Sequence, residues 1–115
     1  MSPTQVERDP SGTDPHAPGA KMDAGKLRVG LVLGSFVNAL EEVSSVGTIG
    51  AAKYSDDGWL AVPDGVNRYT DAMLRHLLKE WQGERVDADT EQLHAAQVAW
   101  NALARLELMM RSADE

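Results

Sequence analysis

The chain has 115 residues, of which 43% are hydrophobic and 25% are charged, a size and composition typical of one globular domain. It has no cysteine, which excludes disulfide frameworks, thiolate zinc sites and cysteine nucleophiles. The formal net charge of −7 argues against a nucleic-acid partner, because coating a phosphate backbone needs clustered Lys and Arg. No apolar run approaches the roughly 18 residues that cross a bilayer. We therefore expect no membrane partner and a cytoplasmic location.

Residues 1–22 are expected to form a disordered N-terminal tail, since they contain four of the five prolines and no aromatic residue. Residues 23–115 are expected to form one helical domain. This domain opens with a turn and a short apolar stretch, extended or irregular, up to Ser35. The Ser35 hydroxyl is a predicted N-cap, because it can accept a hydrogen bond from an unpaired amide of the first helical turn.

The first predicted helix covers residues 36–54, where apolar side chains recur at helical spacing. Gly47 and Gly50 lower the helix propensity of its second half, which indicates a kink or a close contact with another helix. A loop with two Asp-Gly pairs and a proline follows this helix.

Two further helices are predicted in the second half of the chain. The second helix covers residues 66–82 and ends at Gly83, a residue type common at helix C-termini. The third begins near Asp87 or Asp89 and continues to Met110. Its predicted buried stripe consists of Leu93, Ala96, Trp100, Leu103, Leu106 and Met110.

These elements predict an all-α fold, a helical bundle of about three main helices with an irregular N-terminal segment. One Phe, two Tyr and three Trp give the bundle a modest core. The third helix ends in the apolar residues Leu108, Met109 and Met110, which suggests apolar surface beyond what one chain can bury. A homo-oligomer would complete the bundle by covering that surface.

The first helix carries two adjacent glutamates, Glu41 and Glu42, between Asn38 and Ser45 on the same side. One interpretation is a carboxylate pair for a hard cation, since Mg²⁺ prefers one or two protein carboxylates together with phosphate oxygens. The other is a solvated helix face, and the residues alone leave both open.

The third helix has a polar stripe beside its apolar face. Glu91 and His94 have the i, i+3 spacing of a metal-binding pair in helical bundles. A lone histidine at such a position is also often a hydrogen-bonded, half-buried side chain. Asn101 is too polar for a purely apolar core, so it either satisfies a buried partner or contacts a ligand.

The second helix carries cations at helical spacing. Arg75 and His76, with Arg68, could bind phosphate oxygens, for which the guanidinium group is well shaped. Surface ion pairing is the alternative explanation. Lys53 could add a phosphate contact, and Trp59 either a stacking surface or a loop anchor.

Three groups of residues together resemble a known family: Gly50-Ala51-x-Lys53-Tyr54, Leu74-Arg75-His76-Leu77, and His94 followed by Trp100-Asn101. The order of these motifs over about residues 23–108 is similar to that of the phage-associated dATP/dGTP diphosphohydrolase N-terminal domain family, whose members are MazG-like.

The resemblance implies an all-α nucleotide pyrophosphohydrolase that cleaves between the α- and β-phosphates. MazG-like enzymes hold Mg²⁺ with an E-x-x-E motif and with an E-x-x-D motif on a later helix. By this resemblance Glu41 or Glu42 corresponds to the first motif, and Glu91-x-x-His94 to the second with His in place of Asp. Asn38 and Gln97 also differ from the residues of the family pattern.

Our first hypothesis is a Mg²⁺-dependent (or Mn²⁺-dependent) diphosphohydrolase that acts on purine (deoxy)nucleoside triphosphates, phage-encoded and located in the host cytoplasm. The alternative is a non-catalytic helical module that binds nucleotide or protein, which the incomplete motifs favour. The predicted metal ligands are Glu41, Glu42, Glu91 and His94, and the three glutamates are also the predicted catalytic residues. The predicted substrate-binding residues are Lys53, Trp59, Arg75, His76 and Asn101.

Overall fold

The computed structural model describes residues 6–113, and within them every regular element is helical. The chain divides into two compact units, Met1–Ser35 and Phe36–Glu115. The predicted all-α fold is confirmed, and no helix among the described residues has the length and hydrophobicity needed to cross a membrane. The helices are α1 (Val29–Gly34), α2 (Val37–Lys53), a 3₁₀ helix (Gly58–Ala61), α3 (Gly65–Trp81) and α4 (His94–Ala113).

In the first unit, residues 6–28 follow a series of turns before the short helix α1 begins. The Asp9 carboxylate accepts hydrogen bonds from the backbone amides of Ser11 at 2.7 Å and Lys21 at 2.8 Å. Disorder of the whole predicted tail stays a prediction, and residues 1–5 lie outside the described part of the chain.

Two predictions about the end of this unit are wrong. The apolar stretch is helical, because Val29–Gly34 contains no proline and closes a turn through the Val32 amide and the Arg28 carbonyl. Ser35 follows that helix, and its hydroxyl donates to the Leu31 carbonyl instead of capping α2. The residue that precedes α2 is Phe36, which makes no side-chain cap.

In the second unit, α2 spans Val37–Lys53 without interruption, as predicted within one residue at each end. Gly47 provides the close helix contact, because a Cβ atom placed there would lie 3.1 Å from Nε1 of Trp100 on α4. Gly50 has nothing within 4 Å of the corresponding position. The absence of a side chain at Gly47 therefore lets α2 approach the indole of Trp100.

Helix α3 spans Gly65–Trp81 and ends before Gly83, as predicted. Gly83 has φ +95°, a left-handed conformation that glycine adopts without steric cost. The backbone amide of Glu84 then donates to the carbonyl of Lys79 and closes the end of the helix. This turn begins the segment 84–93, which connects α3 to α4.

The prediction that the third long helix begins near Asp87 or Asp89 is wrong, since α4 begins at His94. Segment 84–93 is a hairpin-like loop, in which Val86 and Leu93 form an isolated antiparallel bridge and the His94 amide donates to the Arg85 carbonyl. The residues ahead of α4 thus pair across the loop and do not continue the helix.

The buried face of α4 also differs from the predicted stripe. Ala96 is buried as predicted, but Leu103, Leu106 and Met110 are each 53% exposed. The buried residues of this helix are Ala96, Ala104, His94, Gln97 and Asn101. One side of α4 therefore buries polar groups, and a row of its apolar side chains stays at the surface. Coverage of that row by a second copy stays a prediction.

A pair of glycine substitutions tests the α2–α4 contact. Gly50→Ala is expected to raise the free energy of unfolding by about 0.5–1 kcal/mol, because alanine is the better helix former. Gly47→Ala is expected to gain about 1 kcal/mol less, because its methyl group presses on Trp100. Urea unfolding of both variants, followed by circular dichroism, measures the difference. Equal gains at the two positions would contradict the contact.

Candidate functional site

A cavity of about 1260 Å³ opens in the second unit, bordered by α2, the 3₁₀ helix, α3 and α4. Three cationic side chains line it: Lys53 at the end of α2, and Arg68 and Arg75 on α3. All three are exposed, so each has the freedom to reach a ligand in the cavity. Three carboxylates, those of Asp56, Asp57 and Asp71, line the same cavity, so its lining has no excess of positive charge. The three cations instead offer separate contacts for the oxygens of an anionic ligand such as a triphosphate.

Aromatic side chains occupy another part of the cavity wall. Trp59, Tyr69 and Trp100 pack edge to face, with ring centroids 5.6–6.2 Å apart. The Tyr69 hydroxyl donates to the Trp59 carbonyl at 2.9 Å, which attaches the 3₁₀ helix to α3. The interlocked rings give the cavity a rigid apolar surface against which a planar base can lie.

Imidazole and carboxylate groups meet where α3, α4 and loop 84–93 come together. His76 Nδ1 lies 2.9 Å from His94 Nδ1 and 3.9 Å from Asp87 Oδ2. His76 is half-buried and lines the cavity, whereas the His94 side chain is 3% exposed and lies one hydrogen bond further in. We call these three residues, His76, Asp87 and His94, the imidazole–carboxylate cluster.

Neighbouring polar groups hold this cluster in place. Glu84 Oε2 lies 3.0 Å from His94 Nε2. Gln97 donates from Nε2 to Asp87 Oδ2 at 3.1 Å and to Thr90 Oγ1 at 3.3 Å. The loop and the buried face of α4 are therefore connected by side-chain hydrogen bonds, which fix the positions of Asp87 and His94.

The surroundings shift two pKa values in the cluster. Burial and the electrostatic influence of His94 and Arg75 lower the pKa of His76, and the Asp87 carboxylate only partly offsets them. Burial opposes ionisation of Asp87, but hydrogen bonds from the Asp89 amide and Gln97 outweigh it, and the pKa of Asp87 is lowered. Both shifts favour a neutral imidazole beside an ionised carboxylate, the protonation states of metal ligands.

The cluster is also the place where a metal ion fits the described residues. Within residues 6–113, its three side chains are the group of His, Cys, Asp or Glu whose possible ligand atoms all lie within 4.8 Å of one another. Two imidazoles and one carboxylate suit ions such as Fe²⁺, Ni²⁺, Cu²⁺ and Zn²⁺, for which imidazole is a favoured ligand. Mg²⁺ binds oxygen ligands. The predicted Mg²⁺ or Mn²⁺ cofactor stays a prediction.

The five predicted substrate-binding residues all line the one cavity: Lys53, Trp59, Arg75, His76 and Asn101. Asn101 is buried, and its side-chain amide donates to the Gln97 carbonyl at 2.8 Å. The structure brings these residues together from α2, the 3₁₀ helix, α3 and α4.

The predicted metal ligands are more dispersed. Glu41 and Glu42 are exposed on the first half of α2, and neither lines the cavity. Glu91 is exposed in the loop with φ +61°, an uncommon conformation for glutamate, so it does not share a helix with His94. Only His94 of the four belongs to the imidazole–carboxylate cluster. The ligand roles of the three glutamates stay predictions.

Sequence reasoning missed Glu84 and Asp87. The sequence analysis predicts the start of a helix in this connection and assigns the second metal motif to Glu91-x-x-His94. Glu84-x-x-Asp87 has that spacing and follows directly after Gly83. The motif was therefore visible in the sequence, two residues beyond the predicted end of a helix.

Comparison with protein families identifies the chain. A family model described as dATP/dGTP diphosphohydrolase, N-terminal, matches residues 16–115. The chain belongs to this family. The match includes the cavity, the cluster and loop 84–93, and it confirms the family suggested by the sequence motifs. Comparisons with curated proteins and with solved structures find no match.

Replacement of Gln97 tests whether the polar network supports the site. Gln97→Met keeps the length of the side chain but removes both donors, leaving Asp87 without one of its hydrogen bonds. We expect a loss of about 1–3 kcal/mol in the free energy of unfolding. Gln82→Met, at an exposed position after α3, is the matched control and should change stability by less than about 0.5 kcal/mol. Equal effects in thermal and urea unfolding would contradict a supporting role for Gln97.

Proposed function

We propose that this chain is a metal-dependent diphosphohydrolase that converts a purine (deoxy)nucleoside triphosphate, dATP or dGTP, into the monophosphate and pyrophosphate. The observation that carries the proposal is one cavity lined by cations, by an aromatic surface and by His76, through which it adjoins the imidazole–carboxylate cluster. These features match the parts of a nucleotide: a charged triphosphate, a planar base and a phosphoanhydride to be hydrolysed. The family description supports the same substrate class.

The cationic residues have the role of binding and charge neutralisation. Lys53, Arg68 and Arg75 would contact phosphate oxygens, and their positive charge would stabilise the negative charge that develops on the departing pyrophosphate. Arg75 and His76 both line the cavity. A phosphate bound by the Arg75 guanidinium would therefore share the cavity with the imidazole that adjoins the cluster.

The aromatic surface would position the base. Trp59 presents its ring at the cavity, and the contacts with Tyr69 and Trp100 restrict its motion. Asn101 lines the same cavity and offers a carboxamide for hydrogen bonds to a base edge. A planar ligand held at one end and a triphosphate held at the other give the orientation that an in-line attack requires.

In the reaction, a water oxygen forms a bond to the α-phosphorus while the bond from that phosphorus to the bridging oxygen breaks. Pyrophosphate leaves with the electron pair, and the water gives up a proton. The candidate acceptors for this proton are the lining carboxylates of Asp56, Asp57 and Asp71, and Asp87, which lies next to the lining residue His76. A bound divalent ion would supply charge neutralisation and a lower pKa of water.

The predicted glutamates form a second proposed ligand set. Glu41, Glu42 and Glu91 would bind Mg²⁺ through carboxylate oxygens, the ligands that this ion prefers. The convergence of ligand atoms favours the imidazole–carboxylate cluster over this set within one chain. The homo-oligomer, the phage origin and the cytoplasmic location remain proposals beside this function.

Pyrophosphate release from a panel of eight NTPs and dNTPs tests the activity, with Mg²⁺, Mn²⁺ or EDTA present. We expect metal-dependent release from dATP or dGTP, and Mn²⁺ to support it at least as well as Mg²⁺. Absence of release from all eight would contradict the proposed reaction. Nucleotide-dependent thermal shifts without release would instead support the non-catalytic binding module.

Arg75→Gln tests the phosphate-binding role. We expect kcat/KM to fall about 10- to 100-fold, since one charge-assisted interaction with phosphate contributes about 1.5–3 kcal/mol. Lys79→Gln removes a charge from the exposed surface of the same helix, away from the cavity, and should leave kcat/KM within about twofold. Similar losses in the two variants would indicate a general effect of net charge and contradict a specific role for Arg75.

A set of isosteric changes distinguishes the two proposed ligand sets. Asp87→Asn is expected to reduce pyrophosphate release by at least about 100-fold, because it removes a carboxylate of the cluster. Glu42→Gln and Glu91→Gln are expected to have smaller effects. Large losses in both glutamate variants, with Asp87→Asn retaining activity, would assign the reaction to the predicted glutamates.

A further inference from the structure

Two helices and a loop bring three ligand atoms to one small volume. His76 Nδ1 is 2.9 Å from His94 Nδ1 and 3.9 Å from Asp87 Oδ2. Bonds of about 2.0–2.2 Å to a common ion would place neighbouring ligand atoms about 3–4 Å apart. These two separations match those of ligands that share one metal ion, and all three ligand atoms lie within 4.8 Å of one another.

The orientation of His94 is fixed from behind. An ionised carboxylate can only accept a hydrogen bond, so Glu84 Oε2 at 3.0 Å requires a proton on His94 Nε2. In the neutral imidazole, the lone pair then lies on Nδ1, the atom that faces His76. A carboxylate that holds the far nitrogen of a histidine is the usual outer partner of a metal-bound imidazole.

Asp87 is positioned in the same way. Its Oδ1 accepts from the Asp89 amide at 2.9 Å, and its Oδ2 accepts from Gln97 at 3.1 Å. The Gln97 side chain is itself buried on α4. Asp87 and His94 thus have fixed orientations before any ion binds, and this lowers the entropic cost of binding an ion.

We propose that His76, Asp87 and His94 form a binding site for a divalent transition-metal ion, selective for ions with affinity for imidazole over Mg²⁺. Glu84 and Gln97 are positioning residues for this site. The ion would lie next to the cavity, since His76 belongs to its wall. This inference deepens the proposed function, which assigns its divalent ion to the same cluster, but ion binding is measured separately from turnover.

The contrasting arrangement is a hydrogen bond between the two histidines, in which the Nδ1 proton of His76 is donated to His94. It predicts a stable cluster with no affinity for metal ions. Binding of a metal ion would displace that proton. It would be detected by the absorption spectrum of a bound probe ion and by a change in thermal stability.

The probe is Co²⁺, added to the untagged chain of 115 residues after dialysis against EDTA. We expect saturation at one Co²⁺ per chain, with visible absorption characteristic of nitrogen ligation, and a rise in Tm. Zn²⁺ should displace the bound Co²⁺, whereas a large excess of Mg²⁺ should leave the spectrum unchanged. Absence of stoichiometric Co²⁺ binding, or displacement by Mg²⁺ at equal concentration, would overturn the proposal.

Variants locate the bound ion. His76→Gln, at the half-buried wall position, is expected to weaken Co²⁺ binding at least 100-fold, and His16→Gln in the N-terminal unit is the matched control with unchanged affinity. Glu84→Ala is expected to weaken binding about 10- to 100-fold. Glu84→Gln should recover part of this loss, because its carboxamide oxygen can still accept from His94.

The readouts separate this proposal from the proposed function. Loss of Co²⁺ binding on His16→Gln, or unchanged binding on His76→Gln, would overturn the site whether or not the chain hydrolyses nucleotides. Binding of Co²⁺ as expected, with no pyrophosphate release from any nucleotide, would support the site and contradict only the diphosphohydrolase activity.

Discussion

The burial of a polar face on α4 is the constraint on which the rest of the second unit depends. His94, Gln97 and Asn101 are all buried on this helix, and a buried polar group without a partner costs about 1–3 kcal/mol. Within residues 6–113, no buried side-chain nitrogen or oxygen lacks a hydrogen-bond partner. Loop 84–93 supplies much of this pairing, through Glu84 and Asp87. The loop and the buried polar face of α4 therefore stabilise each other. The loop supplies hydrogen-bond partners to α4, and the buried side chains of α4 hold the loop in its conformation.

This mutual requirement explains why binding groups collect at one place. A purely apolar interface between α3 and α4 would have been simpler to pack, but it would offer a ligand nothing beyond shape. Here the interface contains imidazoles and a carboxylate whose positions are set by their neighbours. The cavity beside it adds exposed cations and an aromatic surface. Cationic, aromatic and imidazole side chains thus lie side by side in one small helical unit.

Membership of the dATP/dGTP diphosphohydrolase N-terminal family agrees with this arrangement. The family resemblance implies metal ligands among the glutamates of α2. The geometry instead favours histidines and acidic residues of the loop as metal ligands. These two views differ in the chemistry of the metal site, since oxygen ligands favour Mg²⁺ and imidazole ligands favour transition-metal ions.

The sequence by itself determined the helical character of the chain and the ends of α2 and α3, and it singled out five residues that the structure brings to one cavity. Apolar periodicity and a glycine at a helix end are local signals, and local signals suffice for such features. Cationic and amide side chains next to an apolar helix face can be recognised in a sequence. Lys53, Arg75 and Asn101 were predicted as binding residues for this reason. The all-α class followed from the number and length of those periodic segments.

Only the tertiary structure decided which face of α4 is buried and which residues meet there. Periodicity places Leu103 and His94 on different sides of a helix, but it does not say which side faces α3. Hydrophobicity alone predicts that the apolar side is buried. In the structure, hydrogen-bond partners from loop 84–93 offset the free-energy cost of burying the polar side. Those partners, Glu84 and Asp87, are about ten residues from His94 and Gln97 along the chain. Contacts across a folded loop follow no fixed spacing, so they become visible only when the loop closes.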